Sequence, residues 1–196
     1  MKKKIFYGWY IVAATNVICM LGYGTWLYCF GVFFKPMMNE FGWTRAMVGG
    51  AYSFRGVQGG FAAPVVGWAT DKYGPRIVIF IGAIIAGFGF MMMYSVDSLI
   101  GFYLVYGVLL SIGMTAMLYL PAMTAIANWF HRMRSRAMSI LTLGAAIGGF
   151  ICAPAAAYLI QHVGWRSAFI ILGVTVWVVA LPLSLVIRHK PEEMGL

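Results

Sequence analysis

Apolar residues along the chain gather into six long runs, at about 8–34, 46–70, 77–96, 99–127, 137–161 and 167–187, separated by short polar breaks. About 20 apolar residues in helical form are enough to cross the hydrocarbon core of a bilayer. The pattern therefore predicts six transmembrane helices, and the short connections make successive helices antiparallel. No stretch has the pattern of a soluble domain or a low-complexity linker. The opening "MKKKIFYGWY" has the basic start of a signal peptide. The apolar run behind it is too long, and no small-x-small cleavage site follows, so it is expected to remain as the first helix.

The second run is not uniformly apolar. Phe54, Val57, Phe61, Val65 and Trp68 recur at alternating spacings of three and four, which puts them on one helix face and predicts a lipid-facing stripe. Tyr52, Arg55, Gln58, Gly59 and Ala62 fall on a second, polar or small face. That face is expected to point at protein or a water-filled cavity. Gly56 and Gly60 form a GxxxG pair that would allow close helix packing.

Arg55 is ten residues from Arg45, roughly 15 Å along a helix axis, too far for its side chain to snorkel fully to the surface. An arginine at the centre of a lipid-facing helix costs about 2.5–3.5 kcal/mol or more. All five acids, Glu40, Asp71, Asp97, Glu192 and Glu193, lie in loops or the tail. No salt-bridge partner is thus available at depth. Two readings stay open for Arg55. It bonds backbone carbonyls, Gln58 or an acid outside this chain, or it attracts an anion, whose carboxylate suits the forked donors of a guanidinium.

Composition agrees with the pattern. Apolar residues make up 62% of the chain and charged ones 10%, against about a quarter charged in soluble domains. If the N-terminus is cytoplasmic, the cytoplasmic segments hold Lys2, Lys3, Lys4, Lys72, Arg76, Arg132, Arg134, Arg136, Arg188 and Lys190. The outer ones hold Lys35, Arg45 and Arg166. This bias predicts that both termini lie inside, and a plasma (inner) membrane is the expected location. It also accounts for most of the net charge of +9. Cations dispersed over one membrane face do not make a nucleic-acid surface. Trp9, Trp43, Trp129 and Trp165 lie near run ends and suit an interfacial belt. Cys19, Cys29 and Cys152 lie within apolar runs, without CxxC spacing, and are expected as small packing residues. His131, His162 and His189 are dispersed, and no HExxH, GxSxG or phosphate-binding loop occurs. No enzyme activity, cofactor or metal is expected.

A faint repeat divides the chain. "RAM", "GGFAAP" and "YGPR" in the first half are echoed by "RAM", "GGFICAP" and "VGWR" in the second. Pro64 to Gly74 and Pro154 to Gly164 each span ten residues, with Arg76 and Arg166 at matching places. Three spans per unit give the two units opposite orientations, a 3+3 inverted repeat of the kind found in transporters.

The stretch "GWATDKYGPR", Gly67 to Arg76, lies between the second and third runs. It resembles the cytoplasmic loop of the major facilitator superfamily, roughly G-x-L-x-D-R-x-G-R-R. Gly67, Asp71, Gly74 and Arg76 match, and Lys72 replaces an arginine. Ala69 and Pro75 depart from the pattern and thin the basic cluster. The segments "FYGWYIV", "GVFFKPMMNEFGWTRA", "NWF", "GWRSAF" and "KPEEMGL" are similar to the oxalate:formate antiporter and monocarboxylate-porter-like branch.

The resemblance implies an all-α membrane protein forming the N-terminal six-helix half of that fold. Gly67, Asp71, Lys72, Gly74 and Arg76 would form the loop that latches the halves and controls switching. It implies secondary transport of small organic anions, mono- or dicarboxylates, by alternating access. Helices 1 and 4 would line the cavity, making Trp26, Tyr28 and Tyr119 candidate substrate residues alongside Arg55 and Gln58 on the polar face of helix 2. Helix 1 also carries Asn16 and Tyr23, and helix 4 carries Ser111 and Thr115 ahead of Pro121, where a kink is expected. With no acid at depth, exchange is favoured over proton coupling. Family members have twelve helices, and "RHKPEEMGL" resembles the start of the joining loop. The expected partners are the bilayer, the anion, and either a missing C-terminal half or a second copy. The alternative is a truncated half-carrier that does not transport alone and acts as a membrane partner, a sensor or an inert remnant.

Overall fold

The structure, a computed structural model, describes residues 6–130 and 133–188. Lys2, Lys3, Lys4, His131, Arg132, His189, Lys190 and the "KPEEMGL" tail lie outside the described residues. The chain folds into helical rods: α1, Gly8–Phe41; α2, Arg45–Tyr73; α3, Pro75–Ser95; and α4, Leu99–Trp129. A last helical stretch, Arg134–Val186, folds back at Gly164 (φ 80°, ψ 160°). It therefore makes two rods, α5 (134–163) and α6 (165–186).

Four stretches are long and apolar enough to cross a membrane, the Arg134–Val186 stretch counting as one of them. α2 is not among the four. Its length suffices, but Arg55, Gln58 and its many glycines dilute its hydropathy. Division at Gly164 and inclusion of α2 give the six rods expected from the sequence.

The rods begin and end where the backbone chemistry dictates. α1 continues past its apolar run to Phe41 and stops at Gly42, which takes a left-handed conformation (φ 66°). Thr44 then caps α2 by accepting from the Met47 amide. Gly74 (φ 85°, ψ 154°) turns the chain, and Pro75 opens α3, where a missing N–H is harmless. Ser98 caps α4 in the same way as Thr44 caps α2. α4 is interrupted at Leu118 (φ −95°, ψ −121°). Pro121 lies three residues on and cannot donate to the Met117 carbonyl, which explains the break.

The packing carries the inverted repeat. α1 lies against α5 so closely that a β-carbon on Gly148 would overlap the Met20 carbonyl. α4 lies against α2, with Gly107 beneath Phe54 and Gly50 beneath Tyr103. α3 meets α6 through Gly87, Gly173 and Trp177. Exchanging helices 1, 2, 3 with 4, 5, 6 maps the first contact onto the second and the third onto itself. Gly74 and Gly164, 90 residues apart, also share one rare glycine conformation. Successive antiparallel rods place Glu40, Asp97 and Arg166 at one end of the bundle. Asp71, Arg134 and the two ends of the described chain lie at the other.

Two features differ from expectation. Trp129 and Trp165 are buried in protein rather than presented to headgroups. The Trp129 indole donates to the Arg188 carbonyl (3.0 Å), while Tyr7 donates to Val186 (2.9 Å), tying α1 and α4 to the end of α6. The Gly56–Gly60 pair is not used within this unit, because no atom approaches either position within 4 Å. The cysteines behave as expected: all three are free, with Cys19 and Cys29 buried and Cys152 packed where Gly24 leaves room.

Candidate functional site

α2 has three faces. Phe54, Val57, Phe61, Val65 and Trp68 are exposed. Val48, Ala51, Arg55, Val66 and Thr70 are buried against the bundle. Between them runs a bare stripe of Gly49, Gly56, Gly60 and Gly67, with no atom within 4 Å of any of these positions.

Arg55 is only 8% exposed. Its guanidinium carbon lies 3.9 Å from the centre of the Tyr52 ring and 4.3 Å from that of Trp26. Cation–π attraction at a desolvated site contributes about 2 kcal/mol, which offsets part of the burial cost. The cation also interacts with the Tyr106 side chain. No carboxylate pairs with it among the described residues. Its Nη1 has no hydrogen-bond acceptor, and neither has the Trp26 indole N–H. The Gln58 amide oxygen and the Ser111 hydroxyl are likewise buried without a partner. Unsatisfied buried polar groups are few in folded proteins, and each one calls for an explanation.

Backbone irregularities shape this site. Trp26 lies in a widened, π-type segment of α1, Gly24–Tyr28, and Tyr106 in a similar segment of α4, Tyr103–Leu110. Such wide turns recur at functional sites. The two segments meet where the Tyr106 hydroxyl donates to the Trp26 carbonyl (3.3 Å). Phe30, one turn beyond Trp26, packs on both Tyr52 and Tyr106 with ring centres 5.0 Å apart in each case.

Among the expected site residues, Trp26 and Arg55 are thus in direct contact, and Gln58 lies partly buried on the helix of Arg55. Tyr28 and Tyr119 are half exposed and form a different group around Tyr23, with which both interact. The Tyr28 ring covers Gly149 of α5. Asn16 donates to the Ile140 carbonyl, and Thr115 to its own helix at Ser111.

The end of the bundle opposite Asp71 holds an ionic clasp. Arg166 donates to Glu40 through Nε (3.1 Å) and Nη2 (3.0 Å), to Asp97 (2.7 Å) and to the Tyr94 carbonyl (2.6 Å). The Trp165 indole also donates to Glu40. One side chain thereby joins the α1–α2, α3–α4 and α5–α6 corners.

The family model described as Major Facilitator Superfamily matches residues 13–195. The chain belongs to this superfamily. It is a multi-pass, all-helical membrane protein with the architecture of one half of the superfamily fold. Monocarboxylate transporter 13 of Bos taurus is 31% identical over 167 residues, 85% of this chain and 39% of that protein. The uncharacterised MFS-type transporter YcxA of Bacillus subtilis is 27% identical over 188 residues, 95% of this chain and 46% of that one. A crystal structure of a bacterial homologue of the human lysosomal transporter Spinster, inward-facing and unoccupied, superposes with a TM-score of 0.76. It is 23% identical and covers 97% of this chain and 45% of its own. The chain thus spans less than half the length of these relatives.

The stretch that carries the superfamily pattern is not the extended loop the sequence suggests: Gly67 to Tyr73 complete α2, Gly74 alone supplies the positive-φ turn, and Pro75 and Arg76 open α3. Lys72 lies over the rings of Trp68 (4.7 Å) and Tyr73 (5.4 Å). Asp71 is exposed. Arg76 lines a cavity with Ile77, Phe80 and Leu185. Among the described residues, no atom lies within 4 Å of a β-carbon position on Gly67.

Sequence reasoning missed Tyr106, Phe30 and the clasp. Tyr106 gave no signal beyond an aromatic in an apolar run, because a π-type turn leaves no mark in hydrophobic periodicity. Glu40 and Asp97 were placed in loops, and only the match of Arg166 to Arg76 in the repeat pointed to that corner.

Proposed function

We propose that this chain forms one six-helix half of a secondary transporter of small organic anions, mono- or dicarboxylates, working by alternating access. The observation that carries the reading is Arg55: a permanent cation, buried, framed by two rings and, among the described residues, without an acid partner. Arg55 Nη1 and Trp26 Nε1 are two unsatisfied donors, and a carboxylate brings acceptors for both. The names of the monocarboxylate relatives agree with that chemistry. The absence of an Asp or Glu at membrane depth among the described residues supports exchange over proton coupling.

Substrate binds between this unit and a second six-helix unit, either a C-terminal half or a second copy of the chain. The bare glycine stripe on α2 supports this, since backbones approach most closely where side chains are absent. In this arrangement the α2–α3 corner with Gly67, Asp71, Lys72, Gly74 and Arg76 is the conformational latch. Tyr28 and Tyr119 face the substrate from the Tyr23 group. The bias of cations supports a cytoplasmic side for both termini, in a plasma membrane.

Uptake of labelled formate, oxalate, lactate and pyruvate into vesicles holding this chain tests the proposal. Saturable uptake that is lost in Arg55→Gln is expected from a self-assembled pair. Absence of uptake for all four anions would leave the half-carrier reading, a membrane partner or sensor without transport of its own.

A further inference from the structure

We propose that a second anion site, built on Lys35 and Arg45, collects carboxylates at the Glu40 end of the bundle and passes them to Arg55. The inference rests on the reading of Arg55 as a carboxylate-binding group. It concerns different residues and a different step.

Where α1 ends and α2 begins, a cavity of about 520 Å³ is lined by Gly31, Phe34, Lys35, Met38, Asn39 and Arg45. This volume falls in the range of small-molecule pockets and admits a small carboxylate with some of its water. Its charge is one-sided. Lys35 and Arg45 are both cations, Asn39 adds an amide, and no acid lines the cavity. The nearest acid in sequence to both is Glu40, whose carboxylate is held by Arg166 and Trp165. Among the described residues, neither Lys35 nor Arg45 forms an ion pair. The clasp thus removes the one group that would neutralise the cavity. Arg45 is also the first residue of the 29-residue α2, so the positive end of that helix dipole reinforces the field there.

The cavity lies on the way to Arg55. Arg45 and Arg55 are ten residues apart on one helix, roughly 15 Å. Gly31, in the cavity wall, follows Phe30, whose ring centre is 5.0 Å from that of Tyr52. Tyr52 is in turn 3.9 Å from the Arg55 guanidinium carbon. The ring contacts of Phe30 with Tyr52 and Tyr106 thus connect the cavity wall to the Arg55 site. A mouth lined by one sign of charge raises the local concentration of the opposite ion and the rate of its capture, more than the final affinity.

Stopped-flow tryptophan fluorescence of the purified chain in lipid nanodiscs, with lactate and oxalate as probes at low and high salt, tests this division of labour. The wild-type association rate should fall with salt. The Lys35→Gln/Arg45→Gln double variant should associate at least about fivefold more slowly at low salt, with a flattened salt dependence and a dissociation rate within about twofold of wild type. Arg134→Gln, at the other end of the bundle, controls for net charge and should change neither rate. A double variant with the wild-type association rate and salt dependence would overturn the inference while leaving Arg55 in place. If that unchanged double variant also loses anionic phospholipid in native mass spectra, the cavity holds a lipid headgroup, and the inference is again overturned. A wild-type chain with no carboxylate signal, or an Arg55→Gln signal equal to wild type, would overturn the Arg55 reading and this one with it.

Discussion

The guanidinium of Arg55 on α2 lies over the indole of Trp26 on α1, 4.3 Å from the ring centre, and each of the two side chains keeps one donor nitrogen without an acceptor among the described residues. A purely structural arginine would satisfy its donors within the fold. Arg55 is held by ring faces instead, which stabilise the cation without using up its N–H groups.

Replacement of Arg55 by Gln therefore separates stability from binding. The variant loses cation–π attraction worth about 2 kcal/mol but also removes a buried charge costing at least about that much. Its melting temperature should equal or exceed that of the wild type. The stabilisation that lactate or oxalate gives the wild type should be gone. Melting curves with and without each anion measure both effects, and a large loss of intrinsic stability would instead mark Arg55 as a structural cation.

The clasp at Arg166 is a pair of partly exposed ion pairs, with side-chain exposures of 26% for Arg166, 43% for Glu40 and 78% for Asp97. Exposed pairs contribute about 0.2–1 kcal/mol each. A double-mutant cycle of Glu40→Gln and Arg166→Gln should return a coupling in that range, and a larger one than the corresponding cycle with the more exposed Asp97. The second half of that expectation fails if Asp97 couples more strongly than Glu40.

Gly164 provides a test of the α5–α6 turn that packing does not confuse. Its φ of 80° disfavours any side chain, and no atom lies within 4 Å of a β-carbon there. Gly164→Ala should cost about 1–3 kcal/mol from backbone strain alone. Denaturation of the purified variant reads this directly, and a neutral result would mean the turn relaxes out of the positive-φ region.

Gly148 and Gly60 should respond in opposite ways. A β-carbon on Gly148 collides with the Met20 carbonyl, whereas Gly60 faces open space. Gly148→Ala should destabilise the six-helix unit by about 1–3 kcal/mol through forced separation of α1 and α5. Gly60→Leu should leave that unit's melting temperature nearly unchanged and abolish its assembly with a second unit, measured by cross-linking in vesicles. Assembly of Gly60→Leu at the wild-type level would remove the glycine stripe from the inter-unit contact.

Much of this architecture was legible because bilayer physics writes it into the sequence. The six apolar runs, the lipid-type stripe from Phe54 to Trp68 and the depth of Arg55 all follow from hydropathy and helical period. The repeat was visible as Pro64–Gly74 and Pro154–Gly164, and the shared φ of Gly74 and Gly164 gives it a backbone basis. Hydropathy did not reveal helix ends: α1 runs on to Phe41 because polar residues such as Lys35, Asn39 and Glu40 are as helical as apolar ones. It also did not reveal which aromatics meet Arg55. Tyr52 and Gln58 share its helix, but Tyr106 reaches it only through the packing of α4 and a π-type turn. Tyr28 and Tyr119 share a helix each with Trp26 and Tyr106, yet they lie beside Tyr23. Helical rows fix direction, and tertiary packing decides neighbours.

The central claim, that Arg55 in its aromatic frame holds a substrate carboxylate, is tested most directly by equilibrium binding of labelled lactate and oxalate to the purified chain in nanodiscs. Wild-type protein should bind at least one of them saturably. Arg55→Gln, folded and melting no lower than the wild type, should bind it at least about tenfold more weakly, the loss expected for a charge-assisted contact of about 1.5–3 kcal/mol. Equal affinities in the two proteins would contradict the account.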